Sequence, residues 1–308
     1  MRLACVCATL VLLHSGCAKK ADPKPQPVPR TFASGAFHPY DSTRIIMDSV
    51  HADLDNDGIS EFVLTSRAAV TGPDQLDSFT FDRLEVFRYD STRALYTSLF
   101  IDPVENGTGM SFQDVTHRGM MEIVVKTGSG GNDPISSTGV CIYGRRQDGT
   151  FTVLFVETSG APELRDLNGD HIPELIIRDE YWGVMSHDEA IEYTSEVHAF
   201  NGNEFVESNL KFGGYFDAEI ARRRADYQQI KTRKGTPSDA AFNTYRAFTD
   251  LMLWLISKGD LYEVRKVWTS EKRFLSQRLA QDQFDDIDGL VQDALAEQQQ
   301  ASLGGEWL

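Results

Sequence analysis

The nine residues 53–61, DLDNDGISE, run directly into the apolar stretch FVLT at 62–65. The same arrangement returns at 166–174, where DLNGDHIPE runs into LIIR. A third copy lies between them at 114–122, where DVTHRGMME is followed by IVVK. This repetition predicts a fold built from similar units, each with a nine-residue loop that leads into a β-strand.

The acids of the first loop stand at alternate positions, which suits a calcium site. Ca²⁺ takes about six to eight oxygen ligands, and side chains at positions 1, 3 and 5 of a tight loop converge on one ion. Asp53, Asp55, Asp57 and the closing Glu61 supply such a set. Without a cation, two like charges about 4 Å apart repel by about 4 kcal/mol at an effective dielectric of about 20. The alternative is an acidic turn whose charges spread apart in water.

The other two loops differ in charge. The third has three acids, Asp166, Asp170 and Glu174, so a count of carboxylates predicts tighter binding in the first loop. The middle loop carries Arg118 at position 5. We predict that its guanidinium lies between Asp114 and Glu122 and replaces a metal ion.

Strand–turn–strand patterns alternate with the loops. Turn sequences flanked by apolar residues occur at 90–93, 148–149 and 201–202. An earlier partial copy is the sequence YDSTR at 40–44, which is identical to residues 89–93. Because the chain begins and ends this region with a hairpin, pairing of the first and last units would close a ring.

The D-x-D-x-D-G-x-x-E loop followed by a strand resembles the FG-GAP/VCBS-type repeats of integrin-α-like β-propellers, over residues 35–212. The resemblance implies four-stranded blades and two structural Ca²⁺ ions in inter-strand loops. It places the ligands of the first ion on Asp53, Asp55, Asp57, the Ile59 carbonyl and Glu61. It places those of the second on Asp166, Asn168, Asp170, the Ile172 carbonyl and Glu174. Propellers usually have about four to eight blades. We therefore expect a mainly β, propeller-like domain of about three blades plus a split hairpin, closed or open.

The N-terminus has the features of an export signal. Residues 1–16 hold Arg2 and then an apolar stretch too short to span a bilayer, and small residues precede Cys17. This pattern resembles a bacterial lipoprotein signal, which implies lipidation of Cys17; ordinary secretion is the alternative. Four prolines in the segment 17–34 predict an extended tether. We expect a protein anchored by lipid in the cell envelope, facing the periplasm or the exterior.

Charge and cysteine content limit the classes of function that we expect for this protein. The 30 basic and 46 acidic side chains give a net charge of −16, which disfavours nucleic-acid binding. Beyond Cys17 only Cys141 remains, so the folded part has no internal disulfide. Cys141 lies in an apolar alternating stretch, which favours a buried strand residue over a nucleophile.

Residues 213–308 change to helical spacing. We predict a helix over about 216–231, a second that begins at the cap Thr236 and stops at Gly259, a short one from Asp260 to about 268, and a long one over about 270–301. The basic stretch from the arginines at 222–224 to Lys234 is interpreted as a solvated helix face that pairs with the acidic repeats; contact with a partner is the alternative.

These observations favour a calcium-binding interaction module whose partners are the membrane, through the lipid, and a protein or carbohydrate. Two alternatives stay open. One is a calcium-stabilised envelope hydrolase, which would need a pocket that unites acids such as Asp179, Glu180 and Asp188. The other is a structural accessory lipoprotein that is recognised through its C-terminal helices. The sequence contains no recognisable catalytic constellation, so we predict a binding protein rather than an enzyme.

Overall fold

A computed structural model describes residues 31–33, 43–69, 79–186, 189–233 and 236–304. The predicted signal, the tether after residue 17 up to residue 30, and Cys17 itself lie outside these residues. So do residues 40–42 of the earliest hairpin copy and Asp188.

The part from residue 31 to residue 207 is built from β-strands. Its strands are β1 Thr31–Ala33, β2 Arg44–Ala52, β3 Glu61–Ala68, β4 Phe81–Asp90, β5 Leu95–Gln113, β6 Glu122–Gly128, β7 Thr138–Arg145, β8 Phe151–Glu157, β9 Glu163–Arg165, β10 Glu174–Tyr181, β11 Ile191–Phe200 and β12 Phe205–Glu207. A one-turn helix, α1 Pro134–Ser137, precedes β7. The three predicted turns join β4 to β5, β7 to β8 and β11 to β12, so these predictions are confirmed.

The strands form two antiparallel sheets. In the first, β2 to β8 lie side by side in chain order, and β1 pairs with β5. The 19-residue strand β5 joins two halves of this sheet, because its first part pairs with β4 and its last part with β6. The second sheet has the order β12-β11-β10-β9. A mainly β domain is therefore confirmed.

The predicted closure into a ring is not found among the described residues. There, β2 pairs with β3 alone and β12 pairs with β11 alone. The two sheets instead pack against each other through aliphatic side chains of both, such as Ile142 of β7 and Leu175 of β10. Because β12 is only three residues long, it offers a short edge for pairing with another unit.

Four helices follow a short 3-10 helix at Asn209–Phe212. They are α2 Gly213–Thr232, α3 Pro237–Lys258, α4 Leu261–Arg278 and α5 Gln281–Gly304. The predicted end signals are confirmed. Thr236 accepts a hydrogen bond from the Asp239 amide, Gly259 adopts the left-handed conformation, and Asp260 caps α4 through the Glu263 amide. None of the described helices has the length and apolar character needed to cross a membrane.

The predicted boundary between the last two helices was wrong. Ser270 does not start a helix, because its hydroxyl donates to the Val267 carbonyl inside α4. The break comes at Leu279, whose backbone is extended, and the Gln283 side chain then accepts the Ala280 amide at the start of α5. The helices pack on β11, whose Ile191 and Val197 enter the helical core.

Candidate metal centre

The three repeated loops occupy equivalent places in the fold. Residues 53–61 lead from β2 into β3, residues 114–122 from β5 into β6, and residues 166–174 from β9 into β10. In each case the last residue of the loop, a glutamate, is the first residue of the strand. The loops therefore sit at the same end of three comparable strand pairs.

Their backbones also share one conformation. In every loop the residues at positions 4 and 6 have a positive φ, which residues other than Gly, Asn and Asp rarely adopt. The six residues are Asn56 and Gly58, His117 and Gly119, and Gly169 and His171. The three loops therefore share a backbone shape as well as a sequence pattern, because a positive φ occurs at the same two positions although the residue types there differ.

The aspartate at position 1 holds each turn by accepting backbone amides. Asp53 accepts the amides of Asp57 at 3.1 Å and Gly58 at 2.9 Å. Asp114 accepts those of Arg118 and Gly119 at 3.0 and 2.8 Å. In the third loop, Asp166 accepts the His171 amide at 3.0 Å and the Gly169 amide at 2.7 Å. Such side-chain acceptors fix a turn locally.

The glutamate that closes each loop is buried and reaches back to the amide at position 2. The distances to Glu61, Glu122 and Glu174 are 2.9, 2.9 and 2.8 Å. Burial raises the pKa of all three carboxyls above the ordinary range of glutamate. A buried carboxylate needs a positive partner, and the three loops differ in what supplies it.

In the first loop, two arginines from other strands supply the charge. Carboxylate oxygens of Asp53, Asp55 and Glu61 lie within 4.8 Å of one another. Arg88 contacts Asp55 at 3.0 Å, and Arg145 contacts the same carboxylate at 2.9 Å. Arg145 also lies 3.7 Å from Glu61.

Arg88 pairs with Asp57 as well, the fourth acid of this loop. The Ile59 amide donates to Asp57 at 2.8 Å. Within the described residues, Oδ1 of Asp55 and Oε1 of Glu61 are buried without a hydrogen-bond partner. The oxygen set fits a cation, but two guanidinium groups already lie beside it.

The middle loop neutralises its glutamate with its own side chain. Arg118 donates to Glu122 at 3.3 Å and to the Thr116 hydroxyl at 2.8 Å, and it stacks on the Phe200 ring. Thr116 in turn donates to Glu122 at 2.8 Å. The predicted pairing with Glu122 is confirmed. The pairing with Asp114 is not, because Asp114 receives the Arg118 backbone amide instead of the guanidinium.

The third loop has neither arrangement. Among the described residues, no lysine or arginine forms an ion pair with its acids Asp166, Asp170 and Glu174. The Asn168 side-chain amide donates to Asp170 at 2.9 Å and to Glu174 at 3.3 Å. The Ile172 amide donates to Asp170 at 2.8 Å. An amide thus lies among carboxylates where the other loops have a guanidinium.

Strand register explains the difference. Phe62 pairs with Phe87, Ile123 with Tyr143, and Leu175 with His198. The residues opposite the three closing glutamates are consequently Arg88, Gly144 and Ala199. Only the first repeat carries a cation there. Arg88 and Arg145 were not among the predicted site residues, because the turn at 90–93 sets the register of β4 against β5 and not against β3.

Two of the acids considered for an enzyme site lie within the described residues, and each accepts a hydrogen bond from an aromatic side chain. Asp179 accepts the Tyr193 hydroxyl at 3.2 Å, and Glu180 accepts the Trp182 indole at 3.3 Å. Asp188 lies outside the described residues. Cys141 is buried in β7, as predicted.

No family model matches this sequence, and no curated protein matches it. The resemblance to FG-GAP/VCBS-type repeats therefore rests on the loop motifs of the sequence.

Proposed function

We propose that the chain is a calcium-binding β-repeat protein of the bacterial envelope, anchored by lipid on Cys17, that acts as an interaction module. Each loop belongs to a four-stranded antiparallel unit of blade-like form. The units are β2, β3, β4 and the first part of β5; the last part of β5 with β6, β7 and β8; and β9 to β12. Three such units in series form an open, propeller-like array.

The third loop carries this proposal. Its buried Glu174 lacks a cationic side chain among the described residues, and Asp166 and Asp170 add two further carboxylates to the same loop. If the Asn168 amide turns, its oxygen faces the place that the nitrogen holds now. Together with the Ile172 carbonyl, these groups would offer Ca²⁺ an all-oxygen donor set, which favours this ion over softer metals. Among the described residues only Asp53, Asp55 and Glu61 already have their oxygens within 4.8 Å of one another, so binding in the third loop would draw its acids together.

Calcium binding in the first loop costs more free energy than in the third, because arginine contacts have to be given up. Asp53, Asp55, Asp57 and Glu61 bring four negative charges, but Arg88 and Arg145 compensate two of them. The Arg88 side chain is 32% exposed, so it is free to turn into solvent when Ca²⁺ enters. We therefore expect the third loop to bind more tightly, which reverses the order given by counting acids.

Calorimetric titration of the full chain carrying Cys17→Ser tests the metal sites. Two ions should bind, and Ca²⁺ at 100 times Kd should add about 2.7 kcal/mol of stability per site. Asp170→Asn should remove the tighter step, and Asp57→Asn the weaker one. The matched control is Asp114→Asn in the arginine-filled loop, which should leave both steps. Absence of calcium uptake, together with melting that a chelator does not change, would reject the proposal.

The interaction function rests on the tether, the repeats and the exposed helices. The net charge of −16 favours a protein or carbohydrate partner over nucleic acid. Capture from native envelopes with the anchored protein, with and without chelator, tests this part. A partner retained only with calcium would tie recognition to the loops. A partner retained in both conditions would indicate the C-terminal helices as the recognition surface. Failure to retain any partner would contradict the role as an interaction module.

A further inference from the structure

Two exposed histidines from different loops lie side by side. The rings of His117, in the middle loop, and His171, in the third loop, have centroids 6.4 Å apart and planes inclined by 30°. The His171 side chain is 83% exposed, and His117 is exposed as well. Both rings are therefore open to a ligand from solution.

Contacts between the second and third units hold the backbones behind these two rings. Val115 of the middle loop and Leu175 of β10 belong to the same buried cluster. Beside them, the Arg118 guanidinium lies 4.8 Å from the centre of the Phe200 ring of β11. Its charge is compensated, because it also pairs with buried Glu122. The separation of the two histidines is thus set by packing, and their side chains alone need to turn toward a shared ligand.

Both histidines stand where a positive φ disfavours most side chains. His117 has a φ of 53° and His171 a φ of 69°. The first loop carries Asn56 and Gly58 at the same two positions, which are residue types that this conformation favours. The middle loop has histidine at position 4 and the third loop at position 6, and these two residues are the ones that meet. Unfavourable backbone conformations are found mainly where the side chain has a role.

The chemistry of the pair suits a borderline divalent metal ion such as Zn²⁺. Imidazole nitrogen ligates Zn²⁺, Cu²⁺ and Ni²⁺, whereas Ca²⁺ takes oxygen ligands. With Zn–N bonds of about 2.0–2.1 Å, the ring centroids of two histidine ligands in tetrahedral geometry lie about 5–6 Å apart. A small rotation of the exposed rings reaches this distance. Oδ2 of Asp166 lies 3.9 Å from Nδ1 of His171, so a carboxylate compensates the charge of the ion and Nε2 is left for coordination.

We propose that His117 and His171 together bind one Zn²⁺ ion, or a transition-metal ion of the same class, and thereby join the second and third units. The two imidazoles take two coordination positions, and water fills the others. This ion is distinct from the calcium ion of the third loop, because its ligands are nitrogens from two loops and not oxygens from one. The proposal does not require that any loop binds calcium.

Calorimetric titration with ZnCl₂ tests the site. The full chain is used without an affinity tag and carries Cys5→Ser, Cys7→Ser and Cys17→Ser, so that the buried Cys141 is the one thiol left. Excess Ca²⁺ is present throughout to occupy carboxylate sites. One Zn²⁺ should bind through the histidine pair and raise the melting temperature. Absence of Zn²⁺ uptake would overturn this proposal without affecting the calcium sites, which are titrated separately.

Two variants replace each histidine with the residue at the same position of the first loop. His117→Asn copies Asn56 and His171→Gly copies Gly58, so both suit the positive φ. Each should weaken Zn²⁺ binding about tenfold or more, because even a residue that only orients a metal ligand is worth about 10–100-fold in affinity. The matched control is His51→Asn, in an exposed histidine of β2, which should leave binding unchanged. A folded His117→Asn or His171→Gly protein that binds Zn²⁺ as tightly as the parent chain, or an equal loss in the control, would overturn the assignment.

Discussion

Replacing Arg118 tests the idea that a side chain takes the place of a metal ion in the middle loop. The guanidinium is 19% exposed and lies 3.3 Å from the buried Glu122 carboxylate. At that distance, and at an effective dielectric of about 20, the attraction is about 5 kcal/mol. Desolvation offsets part of it, so we expect a coupling energy of about 2 kcal/mol. Arg118→Met alone should cost about 3 kcal/mol, because the carboxylate stays buried without its cation.

A double-mutant cycle isolates this coupling. The free energy of unfolding in urea is measured for the unaltered chain, for Arg118→Met, for Glu122→Gln and for the double variant. Comparing the four values removes the separate contributions of the Phe200 stacking and of other contacts. Lys272 and Asp288, a partly exposed pair between α4 and α5, provide the matched control. Their cycle should give about 0.5 kcal/mol or less. Coupling of Arg118 and Glu122 no larger than this control would refute the surrogate-cation reasoning.

Two further predictions concern the same glutamate and the anchor. Burial raises the folded-state pKa of Glu122 above its unfolded value of about 4.3. The contribution of this carboxyl group to the free energy of unfolding is therefore largest below a pH of about 4. It is lost as the pH rises through the folded-state pKa. The free energy of unfolding of the unaltered chain minus that of Glu122→Gln should therefore be larger at pH 4 than at pH 7. A difference that does not change with pH would contradict this prediction. Cys17→Ser should move the protein from the membrane fraction to the soluble fraction, and unchanged fractionation would speak against lipidation.

Local signals made much of the fold predictable. The turn residues at 148–149 and 201–202 lie between paired strands because Gly supplies the positive φ that such turns need. Thr236 and Gly259 fix the two ends of α3 through contacts within a few residues. The nine-residue loops are recognisable for the same reason, since Asp53 and its equivalents accept backbone amides within five residues along the chain.

Ion pairs between residues far apart in the chain could not be predicted from the sequence. Arg88 and Arg145 reach the first loop only because strand pairing brings β4 and β7 beside it. The basic run at 222–224 was expected to meet the acidic repeats. It pairs instead with acids of the helices, such as Glu219, Asp250 and Glu263. These partners are set by helix packing, which periodicity alone does not define.

The three loops present one backbone with three ways of neutralising the same buried glutamate. Where the opposite strand carries Arg88, guanidinium groups from outside the loop cover the acids. Where it carries Gly144, there is no side chain to do so, and a Cβ would approach Glu122 to 2.7 Å; the loop supplies Arg118 itself. Where it carries Ala199, no cation comes from either source among the described residues. Because a buried carboxylate without a counter-ion is costly, the third loop has the strongest physical reason to take its cation from solution.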